Sequence, residues 1–409
     1  MKIIIREQNI VTLYVTTVIL VLAAPSAIFN GSVLVQYFDE IFTVFATVQL
    51  IFQFQRIKVE KDSFQLAQNS FFVIFGIVIL GLVSNSFSRL IHLSPILIDL
   101  LGMIKAPIIF LYCLSLIRKQ DKITIQGNLL VIAKFFVTIV FFTSILHLFV
   151  DIGMTFDIRY GLRSFRFIYA NPGGLNIALF VAYVIIITQV KSKFSRQLFG
   201  FFSLVPIILT FRGIGVGTVG IILMLKVYAA RGGFNKKLTL KDMIPLGLGG
   251  VLLGYGQLKE YFIGSDSIRS ILLRNAIVVM TRYFPIGSGF ATYGSDQAFK
   301  NYSRLYYEFG YHYIYYLSPG NGAVANDNFW PMLIAQFGII AVFLYLYLLY
   351  AQLKYVLTHS LDDKYKVAAI ALLSFLFITS LGNAVYTSAS GVLAYIMTGL
   401  MIIKQEKMG

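Results

Sequence analysis

Residues 328–350 read NFWPMLIAQFGIIAVFLYLYLLY. These 23 residues pass without one charge. Wound as a helix they reach about 35 Å, enough to cross the hydrocarbon core of a bilayer, which is about 30 Å thick. The whole chain shares this character. Of its 409 residues 58% are hydrophobic and 13% charged, and mean hydropathy is +0.78. That composition excludes an ordinary soluble domain and defines an all-α polytopic membrane protein, a single integral membrane domain over residues 1–409.

Outward from this stretch, apolar runs fall at 9–28, 33–54, 69–87, 95–117, 129–150, 173–190, 197–211, 214–230, 243–258, 328–350, 367–383 and 387–403. They predict roughly twelve transmembrane helices. The short runs at 197–211 and 387–403 are the weakest of the set. AAPSA at 23–27 has the look of a signal-peptidase site, but its proline and the lack of a soluble domain downstream favour a retained first helix. The single cysteine, Cys113, lies inside an apolar run, so no disulfide framework exists and a buried structural thiol is expected.

Basic loops orient the helices. Lys2 and Arg6, then QRIKVEKD, RKQDK, VKSKFSR, ARGGFNKKLTLK, LTHSLDDKYK and the tail KQEK, alternate with loops poor in lysine. The positive-inside rule then places both termini in the cytoplasm. The net charge of +16 is thereby accounted for without a nucleic-acid partner. One asymmetry remains. This topology sends outward only Lys259 and Lys300, but nine arginines: Arg89, Arg159, Arg163, Arg166, Arg212, Arg269, Arg274, Arg282 and Arg304. Arginine differs from lysine in its planar fork, which grips phosphate or carboxylate through two parallel hydrogen bonds. The set reads either as headgroup anchors and local ion pairs, or as an anion site at the outer surface.

Two outward segments are long. DIGMTFDIRYGLRSFRFIYANPGG, residues 151–174, carries Arg159, Arg163 and Arg166 at spacings that a short interfacial helix would align on one face. Residues 259–326 form a far longer extracytoplasmic loop between the ninth and tenth helices. Within it Ile268, Ile271, Leu272, Ala276 and Val279 make an amphipathic stripe from which Arg269 and Arg274 project. PIGSGF then ends that helix and lets backbone approach something closely. Seven tyrosines follow between Tyr302 and Tyr316, either an aromatic belt at the membrane surface or a set of rings for stacking on sugars. Arg212, in LTFRGIGVGTVG, stands at a turn with no acid near it in sequence. The glycines after it lack the ending of a phosphate-binding loop and suit close helix packing.

The four histidines have no metal-ligand spacing, and no Asp-x-Asp or serine elbow occurs. Asp39, Glu40, Asp99, Lys105 and Lys134 lie within or at the ends of apolar runs. Pairing between helices, such as Asp99 with Lys105 or Lys134, is one reading, and proton coupling in a transporter the other. Asp327, just before the tenth helix, is either that helix's cap, a role it shares with Asn328, or a base. Glu308, Asp296 and His312 stand in reserve.

Over most of its length the chain resembles the superfamily of O-antigen polymerases and O-antigen ligases. The local matches are RFIYANPGG (166–174), TFRGIGVG (210–217), LLRNAIVVMTRYFPIGSGFATYG (272–294) and NDNFWPMLIAQFGIIAVF (326–343). The resemblance implies a GT-C-like bundle in a bacterial cytoplasmic membrane. It implies a Wzy-type polymerase that transfers a growing glycan from undecaprenyl diphosphate to a new lipid-linked repeat unit, for capsule, exopolysaccharide or O-antigen. Neither metal nor other cofactor is implied. A flippase and chain-length regulators are the protein partners it suggests, besides membrane lipid. Arg212 and Arg274 match arginines that contact the lipid diphosphate or precede the glycine turn, and Arg166 matches the arginine ahead of Asn171-Pro172. Ligases place a His-Asn pair where this chain has Asp327-Asn328, a departure that favours polymerase. Taken with the outward arginines and the tyrosine run, the resemblance makes Asp327, Arg212 and Arg274 the catalytic candidates, with Arg166, Arg163, Arg282, Asn328 and Tyr306 in substrate binding and the 259–326 loop part of the active site. The alternatives are a ligase and a flippase. The enzyme reading requires the guanidinium groups to share a cavity near Asp327.

Overall fold

The computed structural model describes residues 7–25, 28, 32, 37–53, 61–159, 161–235, 267–321, 328–359 and 361–403. The ninth apolar run, Lys259 and Asp327 lie outside them. The elements in chain order are α1 (Glu7–Ala23), α2 (Phe38–Gln53), α3 (Lys61–Ser88), α4 (Leu93–Leu116) and α5 (Lys119–Phe149). A hairpin follows, β1 (Thr155–Arg159) and β2 (Leu162–Phe165), then α6 (Pro172–Gln189), α7 (Lys193–Leu209) and α8 (Gly213–Ala230). The loop region holds α9 (Ile268–Arg282), α10 (Asp296–Lys300) and α11 (Arg304–Glu308). The chain closes with α12 (Phe329–Thr358), α13 (Asp363–Ser380) and α14 (Ala389–Ile402).

Helices cover the eleven described apolar runs. Six helices, α3, α4, α5, α6, α8 and α12, are long and apolar enough to cross a membrane, and α1 and α14 contain shorter apolar stretches. Large apolar side chains face outward along them: Phe87 is 78% exposed, Val131 72% and Phe135 70%. Water would not tolerate such a surface and lipid requires it, so the chain is a helical, membrane-embedded protein. At the centre runs α6, buried on nearly every side. It packs on α5 and α7, while α3 packs on α4 and α12, and α14 joins α4 to α13. Cys113 is fully buried, against the α14 backbone at Gly399.

Contacts sort the chain into two ends. At one, Lys122 Nζ donates to the carbonyl of Ile403, Lys364 Nζ to that of Thr188, and Thr12 Oγ1 to Asp121. The turn after α3, the hairpin, the start of α8, residues 267–321 and the start of α12 all gather at the other, called here the loop end. All nine arginines named above belong to segments of the loop end.

Residues 267–321 fold as a unit with its own core. Leu272, Ala276 and Val279 of α9 meet Tyr293, Ala298, Leu305, Tyr306, Tyr311 and Leu317, with Ala335 of α12 as floor. The stripe read from the sequence is therefore the face that closes this core. One expectation fails. Thr155–Arg159 and Leu162–Phe165 pair as an antiparallel hairpin, not an interfacial helix. Its turn contains Gly161 at φ 76°, and Ser164 hydrogen-bonds across the strands to Asp157. In TFDIR and LRSF, β-branched and aromatic residues outweigh helix formers, and a pair of strands docked on α5 buries Phe165. The spacing of the arginines does not decide between the two conformations.

Candidate functional site

The loop end is organised by a turn that dips among the helices. From Tyr283 to Gly294 the chain leaves α9, passes the cis Phe284–Pro285 peptide, and runs through Gly287, Gly289 and Gly294 at positive φ. Polar groups on α3 and α4 hold it. Ser84 and Ser88 of α3 donate to the carbonyls of Ile286 and Ser288 at 2.7 and 2.6 Å. Asn85 brackets Phe290, donating to its carbonyl at 3.0 Å and accepting from its N–H at 2.8 Å. Asp99 of α4 accepts from the Ala291 N–H at 2.7 Å.

The opposing helix is broken to receive the turn. Gly338 of α12 adopts φ 68°, ψ −170°, about 13 Å along from the start of α12 at helical rise. Just before the break, the carbonyls of Ala335 and Gln336 accept from the N–H groups of Ser288 and Gly289. Irregular backbone at membrane depth survives only where protein groups satisfy it or a polar cavity lies beside it. The PIGSGF glycines thus bring the backbone close to helices rather than to a ligand. A Cβ on Gly287 would lie 2.6 Å from Gln336, and one on Gly289 2.5 Å from Asn85.

Beyond this turn lies a polar cavity of about 300 Å³, lined by α2, α4, α10, α12 and the segment after α13. Its charged lining is Glu40, Asp99, Lys105 and Asp296, joined by Ser295, Gln297, Asn383, Thr387 and Ser388. Lys105 is the deepest charge, about 18 Å along α4 from its start. Its ammonium lies 2.5 Å from Asp39 and 3.0 Å from Glu40. Removing ions from water at such depth is expensive unless they are paired, and the α2 acids at the helix start provide the pair. The partners therefore differ from the sequence expectation. Lys105 pairs with Asp39 and Glu40, not Asp99, while Lys134 lies 5.2 Å from the Phe199 ring centre. The second carboxylate oxygen of Glu40 is buried and has no hydrogen-bond partner.

The arginines are engaged elsewhere, and none lines this cavity. Arg212 is the residue just before α8, and its guanidinium lies 3.0 Å from Asp157, which Arg159 also contacts at 3.0 Å. The acid missing near Arg212 in sequence thus comes from the hairpin, 55 residues earlier. Partial burial works against ionisation of Asp157. The Ser164 hydroxyl, Arg159 and Arg212 outweigh it and hold the carboxyl below its ordinary value. Arg163 donates to the last carbonyls of α5 at 3.4 Å. Arg166 donates to the Ala170 carbonyl at 3.5 Å, and its Nε is buried without a partner. Arg282 and Arg304 share Glu308 at 2.6 and 3.4 Å. Arg274 projects from the exposed face of α9, and Arg269 donates to the Gly382 carbonyl at 3.4 Å. Among the described residues the guanidinium groups are dispersed over ion pairs and backbone caps rather than gathered round one void.

Two further candidates change role. Tyr306 is fully buried in the loop's core, its hydroxyl accepting from the Gly294 N–H at 2.8 Å. It has no ring face left for a sugar. Tyr307, Tyr313, Tyr315 and Tyr316 are the exposed members of that series. Asn328 is the N-cap of α12, accepting from the Trp330 N–H at 3.3 Å. That leaves the capping role filled without Asp327. Asn383, Thr387 and Ser388 were missed, although LGNAVYTSAS at 381–390 carried a signal: seven polar or small residues between two apolar runs. Comparison with protein-family models, curated proteins and solved structures returned no match.

Proposed function

We propose that the chain is a membrane glycosyltransferase that polymerises lipid-diphosphate-linked oligosaccharide repeat units at its loop end, on the outer face of a bacterial cytoplasmic membrane. The observation that carries this reading is a polar, carboxylate-bearing cavity walled in part by Ser295, Asp296 and Gln297 of the long loop, at the end that holds every one of the nine arginines. Twelve spans with both termini in the cytoplasm put that end outside. The reaction joins an acceptor hydroxyl oxygen to the anomeric carbon while the bond from that carbon to the diphosphate oxygen breaks. The hydroxyl proton passes to a carboxylate, for which Asp327 is the candidate. Charge growing on the departing diphosphate is met by guanidinium groups, Arg212 and Arg274 first among them, which stand apart in the structure and are drawn to the diphosphate only on binding. Asp157 holds Arg212 in position until a diphosphate, with more charge to offer, competes for it.

The test is polymerisation in vitro with purified lipid-linked repeats. Arg212→Ala and Arg274→Ala should abolish polymer, and Arg212→Lys should not restore it. Undiminished polymer from either alanine variant would remove that residue from the site. Asp327→Asn retaining full activity would leave the proton to another group. A ligase would instead leave long lipid-linked polymer intact in cells lacking the chain. A carrier is the second reading, favoured by arginines that share no cavity, and by the Lys105 charge network and the helix broken at Gly338, features that ion-coupled carriers use. Transport of lipid-linked repeats across vesicles containing only this chain, without polymer, would establish it.

A further inference from the structure

The cavity and the arginines are opposite in charge, and this divides the substrate. Around the void stand Glu40, Asp99 and Asp296, while its one cation among the described residues, Lys105, is already shared between Asp39 and Glu40. Asp296 in turn is paired with Lys300 at 2.7 Å. An excess of carboxylates repels a phosphate. Of the remaining groups, Gln297 and Asn383 carry amides that can both donate and accept, while the Ser295, Thr387 and Ser388 hydroxyls, already bonded to backbone, keep lone pairs that accept. Such a lining suits a neutral ligand bearing several hydroxyls. Its volume of about 300 Å³ lies at the small end of ligand sites. A metal ion is a poorer fit, because among the described residues no three acids, histidines or cysteines are grouped to hold one.

We propose that this cavity is the subsite for the acceptor end of the glycan, one terminal sugar, with the unpartnered Glu40 carboxylate oxygen receiving a sugar hydroxyl and Lys105 holding that carboxylate in place. The assignment deepens the polymerase reading and rests on it for the word acceptor. Binding itself does not depend on catalysis. A hydroxyl-binding cavity apart from the arginines lets one end of a glycan bind without its diphosphate entering an acidic void. Gly102 supplies a way to fill the cavity without strain, since a Cβ there meets nothing within 4 Å and its helix gains by losing a glycine.

The probe is the lipid-free oligosaccharide released by mild acid from the carrier that accumulates in cells lacking this chain. Its binding to the purified full-length protein is followed by calorimetry. Wild type should bind it saturably, and inorganic pyrophosphate should not compete. Gly102→Leu and Glu40→Gln should each weaken binding about tenfold or more, the loss expected when a hydrogen bond to a charged group disappears. If Glu40→Gln does not fold, Gly102→Leu alone decides. Equal affinity in wild type and Gly102→Leu, no binding by wild type, or displacement by pyrophosphate would each overturn the subsite. Binding with the expected losses but no polymer from lipid-linked repeats would sink the polymerase reading and leave the subsite standing.

Discussion

Placing a methyl group on Gly338 should unlock the loop from the bundle. In the structure its backbone sits at φ 68°, ψ −170°, a region closed to residues with a side chain at a cost of about 1–3 kcal/mol. The new Cβ would also fall 2.1 Å from the carbonyl oxygen of Pro285 and 2.7 Å from the Gly287 nitrogen. Both neighbours are backbone and have no rotamer to escape into. Separating them strains a packed interface by another ~1–3 kcal/mol. The total of about 2–6 kcal/mol is a large share of the stability of a typical fold, about 5–15 kcal/mol. Trp330, the only tryptophan, lies at the start of the same helix and bonds Ser380 at 3.0 Å, so its fluorescence reports thermal unfolding in detergent. Gly338→Ala should lower the midpoint by many degrees, or fail to give a monodisperse protein. Gly76→Ala is the control. There a Cβ meets nothing within 4 Å inside α3, and loss of a helical glycine should raise stability by up to about 1 kcal/mol. Equal midpoints for Gly338→Ala and wild type would refute the argument that the helix break is what seats the turn.

Three other perturbations follow from the same geometry. Tyr306→Phe leaves the Gly294 N–H without its acceptor and should cost about 1–3 kcal/mol in thermal stability, while leaving the KM for lipid-linked repeats unchanged; a raised KM at wild-type stability would return Tyr306 to the substrate. Asn328→Ala removes the α12 cap and should cost about 1 kcal/mol, which Asn328→Ser restores. The Asp157 carboxyl is held below its ordinary value in the fold, so its stabilising effect is complete above the unfolded value of about 3.9 and is lost only as pH falls through the lower folded value. Asp157→Asn should therefore flatten the acid limb of the stability profile below about pH 4 and leave the pH dependence near neutrality as it was.

Local periodicity and charge were readable from residue order alone. An apolar run of spanning length has one stable solution in lipid, the helix, because every peptide group must bond within its own segment. That constraint made the runs legible, together with the stripe of α9 and the presence of Arg212 and its eight companions at one end. Where two local solutions were equally open, only distant contacts chose. Residues 155–165 pair as strands because they dock on α5 and meet Arg212 from a later turn. Lys105 finds Asp39 across 66 positions, Asn85 finds Phe290 across 205, and Gly338 breaks its helix because Pro285 and Gly287 arrive there. The cavity belongs to this second class. Its walls come from five separate stretches of chain, and the energies that bring them together depend on distances that no local pattern encodes.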